Sequence, residues 1–134
     1  MTFFETELQV RPDDIDMNRH VHSSRYIDYV LAARYDQMER CYCMSMQQFI
    51  AKGYGWIIRR TEMEFRRALV LGDRMIVKTG IEELLRHGVV VRFEVRESSS
   101  GHVACRGSFH YVLIRLDSGS PASLPPEVVE KYSI

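Results

Sequence analysis

Residues 3–11 alternate between less and more polar positions. Phe4, Thr6, Leu8 and Val10 fall on one side; Glu5, Glu7, Gln9 and Arg11 fall on the other. A period of two marks a half-buried strand, and Pro12 ends it. From about Ser24 to Arg40 the period becomes helical. Ile27, Val30, Leu31 and Met38 share one face, with Tyr26 and Ala33 at its margin. Asp28, Ala32, Asp36 and Glu39 fall opposite. Ser23 or Ser24 is the expected N-cap, and Asp28 suits the positive end of the helix dipole. Arg34 falls near the middle of the apolar face. Either its stem packs while its head reaches the edge, or it meets an ion-pair partner or an anionic ligand.

Residues 45–52 read as a short helix ended by Gly53. Over 57–70 the even positions Arg60, Glu62, Glu64 and Arg66 are charged, while Thr61, Met63 and Phe65 are less polar. This predicts a two-faced strand rather than a basic patch. Leu71-Gly72-Asp73 predicts a turn. Residues 74–85 alternate again, with Met75, Val77, Thr79 and Ile81 inward. After Arg86-His87-Gly88, residues 89–97 put Val89, Val91, Phe93 and Val95 on one face. Ser98-Ser99-Ser100-Gly101 is a further turn, and 103–116 is apolar on both faces for part of its length, as in a central strand. A single helical turn is expected from Glu127 to Tyr132. Short links between four successive strands predict an antiparallel meander. One amphipathic helix against one curved sheet forms a single core economically.

The 134 residues suit one domain, 1–134, with no internal repeat and no linker. Hydrophobic residues make up 46% and charged residues 27%, a soluble globular composition. Lys+Arg and Asp+Glu are 18 each, so no net charge attracts nucleic acid or an anionic membrane. Zero net charge also does little to oppose self-association. Cys41, Cys43 and Cys105 are odd in number and lack zinc-site spacing, so small reduced side chains are expected rather than a disulfide framework. The start, Met1-Thr2-Phe3-Phe4-Glu5, has no basic region and no apolar stretch of a signal peptide. No apolar run is long enough to cross a bilayer, and the expected location is the cytoplasm.

Candidate chemistry concentrates in Asp14-Ile15-Asp16-Met17-Asn18-Arg19-His20-Val21-His22-Ser23-Ser24-Arg25-Tyr26, a polar loop just before the helix. A carboxylate here can act as a base or nucleophile, while N–H groups at a helix start can stabilise a developing oxyanion. Asp16 also suits a loop-ordering turn, and Asp14 is expected to be a loop-ordering acceptor. Asp16, His20 and His22 could be imagined as metal ligands, but no fourth ligand stands out and no metal is expected. No clear Ser-His-Asp/Glu nucleophile arrangement can be read.

The element order and this loop resemble the hotdog-fold thioesterases, in particular the 4-hydroxybenzoyl-CoA thioesterase-like acyl-CoA thioesterases and their acyl-ACP relatives. The family's Asp, three residues, then His-Val-Asn-Asn-x-x-Tyr stands here as Asp16-Met17-Asn18-Arg19-His20-Val21-His22-Ser23-Ser24-Arg25-Tyr26. Its aromatic-Arg-Arg-Pro-Ala segment before a Gly-Asp turn stands as Phe65-Arg66-Arg67-Ala68-Leu69-Val70-Leu71-Gly72-Asp73. Two departures are His22-Ser23 in place of the Asn pair and Arg67 in place of proline. The resemblance covers about residues 3–117. It implies an α+β hotdog fold, a curved antiparallel sheet wrapped around one long central helix.

For the site, the resemblance implies Asp16 as the catalytic carboxylate. Asn18 and His20 match the amide and imidazole of the acyl-ACP branch, with a structural role equally open for His20. The backbone N–H groups of Ser23 and Ser24 are the expected oxyanion donors. Tyr26, Trp56 and Phe65 are candidate pocket walls. Arg66 and Arg67, and Arg59 beside them, could meet CoA phosphates or simply form a solvated charged face. The implied activity is hydrolysis of an acyl-CoA to free acid and CoA without metal or cofactor. The alternatives are an acyl-ACP thioesterase and a non-catalytic acyl-CoA binder. The resemblance also implies a homodimer or a homotetramer built from dimers.

Overall fold

The computed structural model describes residues 1–134. Strand β1 (Phe3–Gln9) is followed by a loop with two 3-10 turns, Pro12–Asp14 and Ser23–Arg25. Helices α1 (Tyr26–Arg40) and α2 (Met46–Ala51) come next. Strands β2 (Tyr54–Phe65), β3 (Arg74–Leu84), β4 (Gly88–Glu97) and β5 (Val103–Arg115) follow, and α3 (Pro126–Tyr132) ends the ordered elements. Every strand pairing is antiparallel, and the sheet order is β1-β3-β4-β5-β2.

The period-two patterns of β1, β3 and β4 fall on the core side as expected, whereas Thr61 and Phe65 of β2 stay exposed. Met75, Val77, Thr79 and Ile81 of β3 are buried, as are Val89, Val91, Phe93 and Val95 of β4. Tyr29, Val30 and Ala33 of α1 join Met75, Val77 and Phe93 in one cluster. Each fully buried valine or phenylalanine contributes about 1.5–3 kcal/mol. A second cluster gathers Met38, Tyr42, Phe49, Leu113, Val128 and Tyr132 around the far end of α1. One long helix across one antiparallel sheet is the hotdog arrangement, in the α+β class.

The expected four-strand meander needs correction. Only β3, β4 and β5 form one; β2 pairs with β5 at the opposite edge from β1. The link from Phe65 to Arg74 spans residues 66–73, longer than the roughly 2–5 residues of hairpin loops. Its hydrogen bonds go elsewhere: Leu69 O accepts from Val21 N–H at 2.8 Å, and Val70 forms a bridge with His20. Gly107 permits the β2–β5 pairing, because a Cβ there would sit 1.8 Å from the Glu62 carbonyl oxygen.

Three local expectations also change. The helix begins at Tyr26, and neither Ser23 nor Ser24 is its N-cap; both lie in the preceding 3-10 turn, capped by the His22 side chain. The buried face of α1 is rotated toward Tyr26, Tyr29, Ala33 and Gln37, leaving Leu31 at the surface. Tyr29 and Gln37 can face inward because their polar ends find partners. Tyr29 OH donates to Asp14 Oδ2 at 2.6 Å, and Gln37 Nε2 donates to Thr6 Oγ1 at 3.1 Å. Arg34 does not reach the edge; it is 5% exposed. The short helix at 45–52 is as expected: a reciprocal Ser45–Gln48 capping box starts it, and Gly53 at φ +85° follows it.

Candidate active site

The loop between β1 and α1 is held at its base by Asp14. This carboxylate is buried and takes hydrogen bonds from Tyr29 OH and from Arg11 Nε at 2.9 Å, with Arg25 Nε 3.7 Å away. Its carbonyl accepts from His22 N–H at 2.9 Å. Burial alone would raise the Asp14 carboxyl. The Tyr29 and Arg11 hydrogen bonds and the Arg11 and Arg25 charges outweigh it, and the pKa lies below the ordinary carboxylate value. Asp14 is therefore the loop-ordering acceptor.

Above that base, Ile15 and Val21 form an antiparallel bridge and residues 16–20 turn back on themselves. Asp16 N–H donates to His20 O at 2.8 Å, and Arg19 N–H donates to Asp16 O at 3.0 Å. Arg19 takes the left-handed conformation at φ +65°. Asp16 Oδ1 accepts from Asn18 N–H at 2.9 Å and from His20 N–H at 3.2 Å. The turn thus uses one oxygen of the carboxylate, and Oδ2 receives no hydrogen bond from the protein. A loop-ordering role and an available oxygen coexist in the same side chain.

Residues 66–70 form the facing wall. Arg66 N–H and Arg67 N–H both donate to Ala104 O, at 2.8 and 3.2 Å. Leu69 N–H donates to the Tyr26 hydroxyl at 3.1 Å, tying the wall to the first residue of α1. Between wall and loop lies an open cavity of about 280 Å3, lined by Asp16, His20, Val21, Ser23, Tyr26, Phe65, Arg66, Arg67, Ala68 and Ala104. Tyr26 and Phe65 stand with ring centroids 5.6 Å apart.

The structure thus gathers Asp16, His20, Ser23, Tyr26, Phe65, Arg66 and Arg67 around one space. It does not bring Asn18, Ser24, Trp56 or Arg59 there. Asn18 sits at the exposed tip of the turn and enters through its backbone N–H. Ser24 N–H is already engaged, donating to His22 Nδ1 at 3.2 Å, whereas Ser23 N–H has no acceptor in the protein. Trp56 lies in the other half of the molecule, stacked on Tyr132. Asp16 and His20 are not joined by a third His, Cys, Asp or Glu positioned to hold a metal ion.

Arg66 Nη1 pairs with Glu64 at 2.9 Å and Arg67 Nη1 meets His102 Nδ1, yet both arginines remain exposed at the cavity. Ala68 and Ala104 carry no chemical signal in the sequence, but their small side chains leave room for the cavity. The buried Cys105 thiol is pushed up to about 12 by burial, so it is no nucleophile at neutral pH.

Known structures share this fold. A DHNA-CoA thioesterase from Staphylococcus aureus matches with a TM-score of 0.92 and 22% identity, covering 99% of this chain and 90% of that one. A 1,4-dihydroxy-2-naphthoyl-CoA thioesterase from Synechocystis matches with a TM-score of 0.87 and 22% identity, covering 98% and 96%. In sequence, the long-chain acyl-CoA thioesterase FadM of Escherichia coli (strain K12) is 24% identical over 127 residues, 95% of each chain. The model of the thioesterase-like superfamily matches residues 10–132. With the signature loop and the hotdog sheet both in place, the chain belongs to the thioesterase-like superfamily.

Proposed function

We propose that this protein hydrolyses acyl-CoA thioesters, with the Asp16 cavity as the reaction centre. The observation that carries the reading is the Asp16 carboxylate, fixed through Oδ1 by two backbone N–H groups, with Oδ2 left unbonded beside the start of α1. A held carboxylate loses little freedom on reaching its reactive geometry. It can take a proton from water that attacks the thioester carbonyl and displaces the CoA thiolate, or attack that carbon itself, displacing the thiolate and leaving an anhydride that water then cleaves to the free acid and the restored carboxylate. The free Ser23 N–H supplies an oxyanion donor. His20, at the rim, suits proton relay or holding of the turn, while Arg66 and Arg67 suit the CoA phosphates. Of the two residues that match the acyl-ACP branch, His20 lines the cavity and Asn18 does not, and CoA is the carrier we favour.

The chain would act as one domain in the cytoplasm, where its three free cysteines stay reduced. It would act as a dimer. Strand β2 is an unpaired edge of twelve residues, and Leu31, Tyr35, Ile57 and Phe65 are exposed on or beside it. The unpaired side of a long edge strand, with these apolar side chains on or beside it, invites pairing with a second copy. Dimers pairing again would give the tetramer; sedimentation of the wild type checks both.

Thiol release from a CoA thioester panel, by wild type and Asp16→Asn, tests the central reading. Wild-type turnover with a variant slowed about 10²–10⁴-fold is expected. A variant with full activity rules out the role of Asp16.

A further inference from the structure

A second cavity, of about 450 Å3, lies beside α1 toward its C-terminal half. Ten of its eleven lining residues are hydrophobic, among them Leu31, Met38, Trp56, Tyr111 and Tyr132; the exception is Arg34. Arg34 is buried, 5% exposed as a residue, and an arginine carries its charge throughout the working pH range. It forms no ion pair. Its hydrogen bond from Nη1 to Thr79 Oγ1 is long at 3.4 Å, and the Tyr42 and Tyr111 hydroxyls lie close enough to interact with it as neutral acceptors. The Tyr42 ring lies 5.4 Å beneath it.

A buried cation without a counter-charge is costly. The hydrogen-bonded chain from Thr79 through Gln37 and Thr6 does end on a carboxylate, Asp36, but that group is paired with Arg40 at 2.9 Å. The nearby phenols supply no negative charge either. Burial raises Tyr42 and Tyr111 and pushes Tyr132 up to about 12, against the opposing pull of Arg34. Four buried side-chain polar atoms in the chain lack a hydrogen-bond partner. Three of them, Arg34 Nε, Trp56 Nε1 and Tyr132 OH, belong to residues lining this one cavity. Such groups are rarely left unpaired by chance.

We propose that this cavity receives the far end of the acyl group, and that Arg34, helped by Tyr132 and Trp56, selects acyl groups bearing an anionic or hydrogen-bond-accepting oxygen there. The inference rests on the Asp16 cavity being the thioester centre. Arg34 lies eight residues beyond Tyr26, about 12 Å along the helix axis; the two cavities share no lining residue, so the proposal requires the acyl group to run along α1 from one to the other. A methyl-ended chain fills the apolar walls but leaves the donors unpaired, whereas a carboxylate or a phenolic oxygen pairs them. Leu31, Tyr35 and Ile57, at the open side, are the residues the proposed dimer would cover, which would exclude water from that pairing.

The test compares wild type, Arg34→Met and Arg34→Lys on matched thioesters. One arm sets octanoyl-CoA against suberoyl-CoA, which differs by a terminal carboxylate. The other sets cinnamoyl-CoA against 4-hydroxycinnamoyl-CoA, which differs by a phenolic oxygen. Wild type is expected to favour the oxygen-bearing member of at least one pair by about tenfold or more in kcat/KM. Arg34→Met should erase that preference, and Arg34→Lys should keep part of it. Calorimetry with the corresponding non-hydrolysable thioethers should show the same preference in Kd. If thioethers are discriminated but no thioester is cleaved, the selecting pocket stands and the hydrolase reading fails. Equal use of both members by wild type, or a preference unchanged in Arg34→Met, overturns the proposal. So does a variant that alters only the dimer equilibrium, which would make a partner's carboxylate the counter-charge.

Discussion

The two ends of α1 treat polar groups in opposite ways. At the N-terminal end, the groups that hold the loop are paired locally: Asp14 holds the base, Asp16 Oδ1 closes the turn, and Tyr26 OH receives Leu69 N–H. What is left over, Asp16 Oδ2 and Ser23 N–H, borders an open cavity where water can serve it at little cost. Toward the C-terminal end the leftovers are buried: Arg34 Nε, Trp56 Nε1 and Tyr132 OH have no partner among mostly apolar walls. An unpaired group in water says little about purpose, whereas one in a dry cavity costs stability and calls for a function. Chemistry at one end and selection at the other is the division this contrast suggests.

Four changes would break or sharpen it. Asp16→Asn should give the largest effect, about 10²–10⁴-fold on kcat, with unchanged thermal stability. A fall in Tm as large as the fall in rate would make Asp16 a folding residue only. Arg34→Met should act in the opposite sense on stability. Replacing an uncompensated buried charge by an apolar side chain of similar length is expected to be neutral or to raise unfolding free energy by about 1–4 kcal/mol in urea titration. Marked destabilisation would mean that the cation already has a partner. Tyr26→Phe removes the acceptor of a buried N–H and should cost about 1–3 kcal/mol, loosening the wall at 66–70.

The smallest effect concerns pH. The folded pKa of Asp14 is depressed, so its ionised form adds stability above the unfolded value, near pH 4, and that stability is lost as pH falls through the folded pKa. Asp14→Asn should therefore be less stable near neutrality, with a shallower loss of stability below about pH 4. An acid limb as steep as in the wild type would assign it to other carboxylates.

Much of the fold was legible because period-two alternation states directly which side chains of β3 and β4 are buried. Strand order was not, since alternation names a face and never a neighbour; β2 crosses to pair with β5 because residues 66–73 are occupied with the Asp16 loop. The site was legible where one short segment carries it, from Asp16 to Tyr26. Trp56 lines a different cavity from Asp16, and the sequence could not say which, because its place depends on which residues of α3 and β5 fold over it. For Arg34 the two readings were a head at the edge and a contact with an ion-pair partner or an anionic ligand, and burial without an ion pair matches neither as it stands. Apolar spacing put it on the inner face, but nothing in the spacing says whether a long side chain can reach water.

The most direct test of the division of labour is one set of kcat/KM values, for wild type, Asp16→Asn and Arg34→Met, on octanoyl-CoA and suberoyl-CoA. Asp16→Asn should slow both substrates by the same large factor and leave their ratio untouched, while Arg34→Met should collapse the ratio, with the larger loss on suberoyl-CoA. An Asp16→Asn enzyme of full activity, or one whose loss falls on a single substrate, would contradict the account.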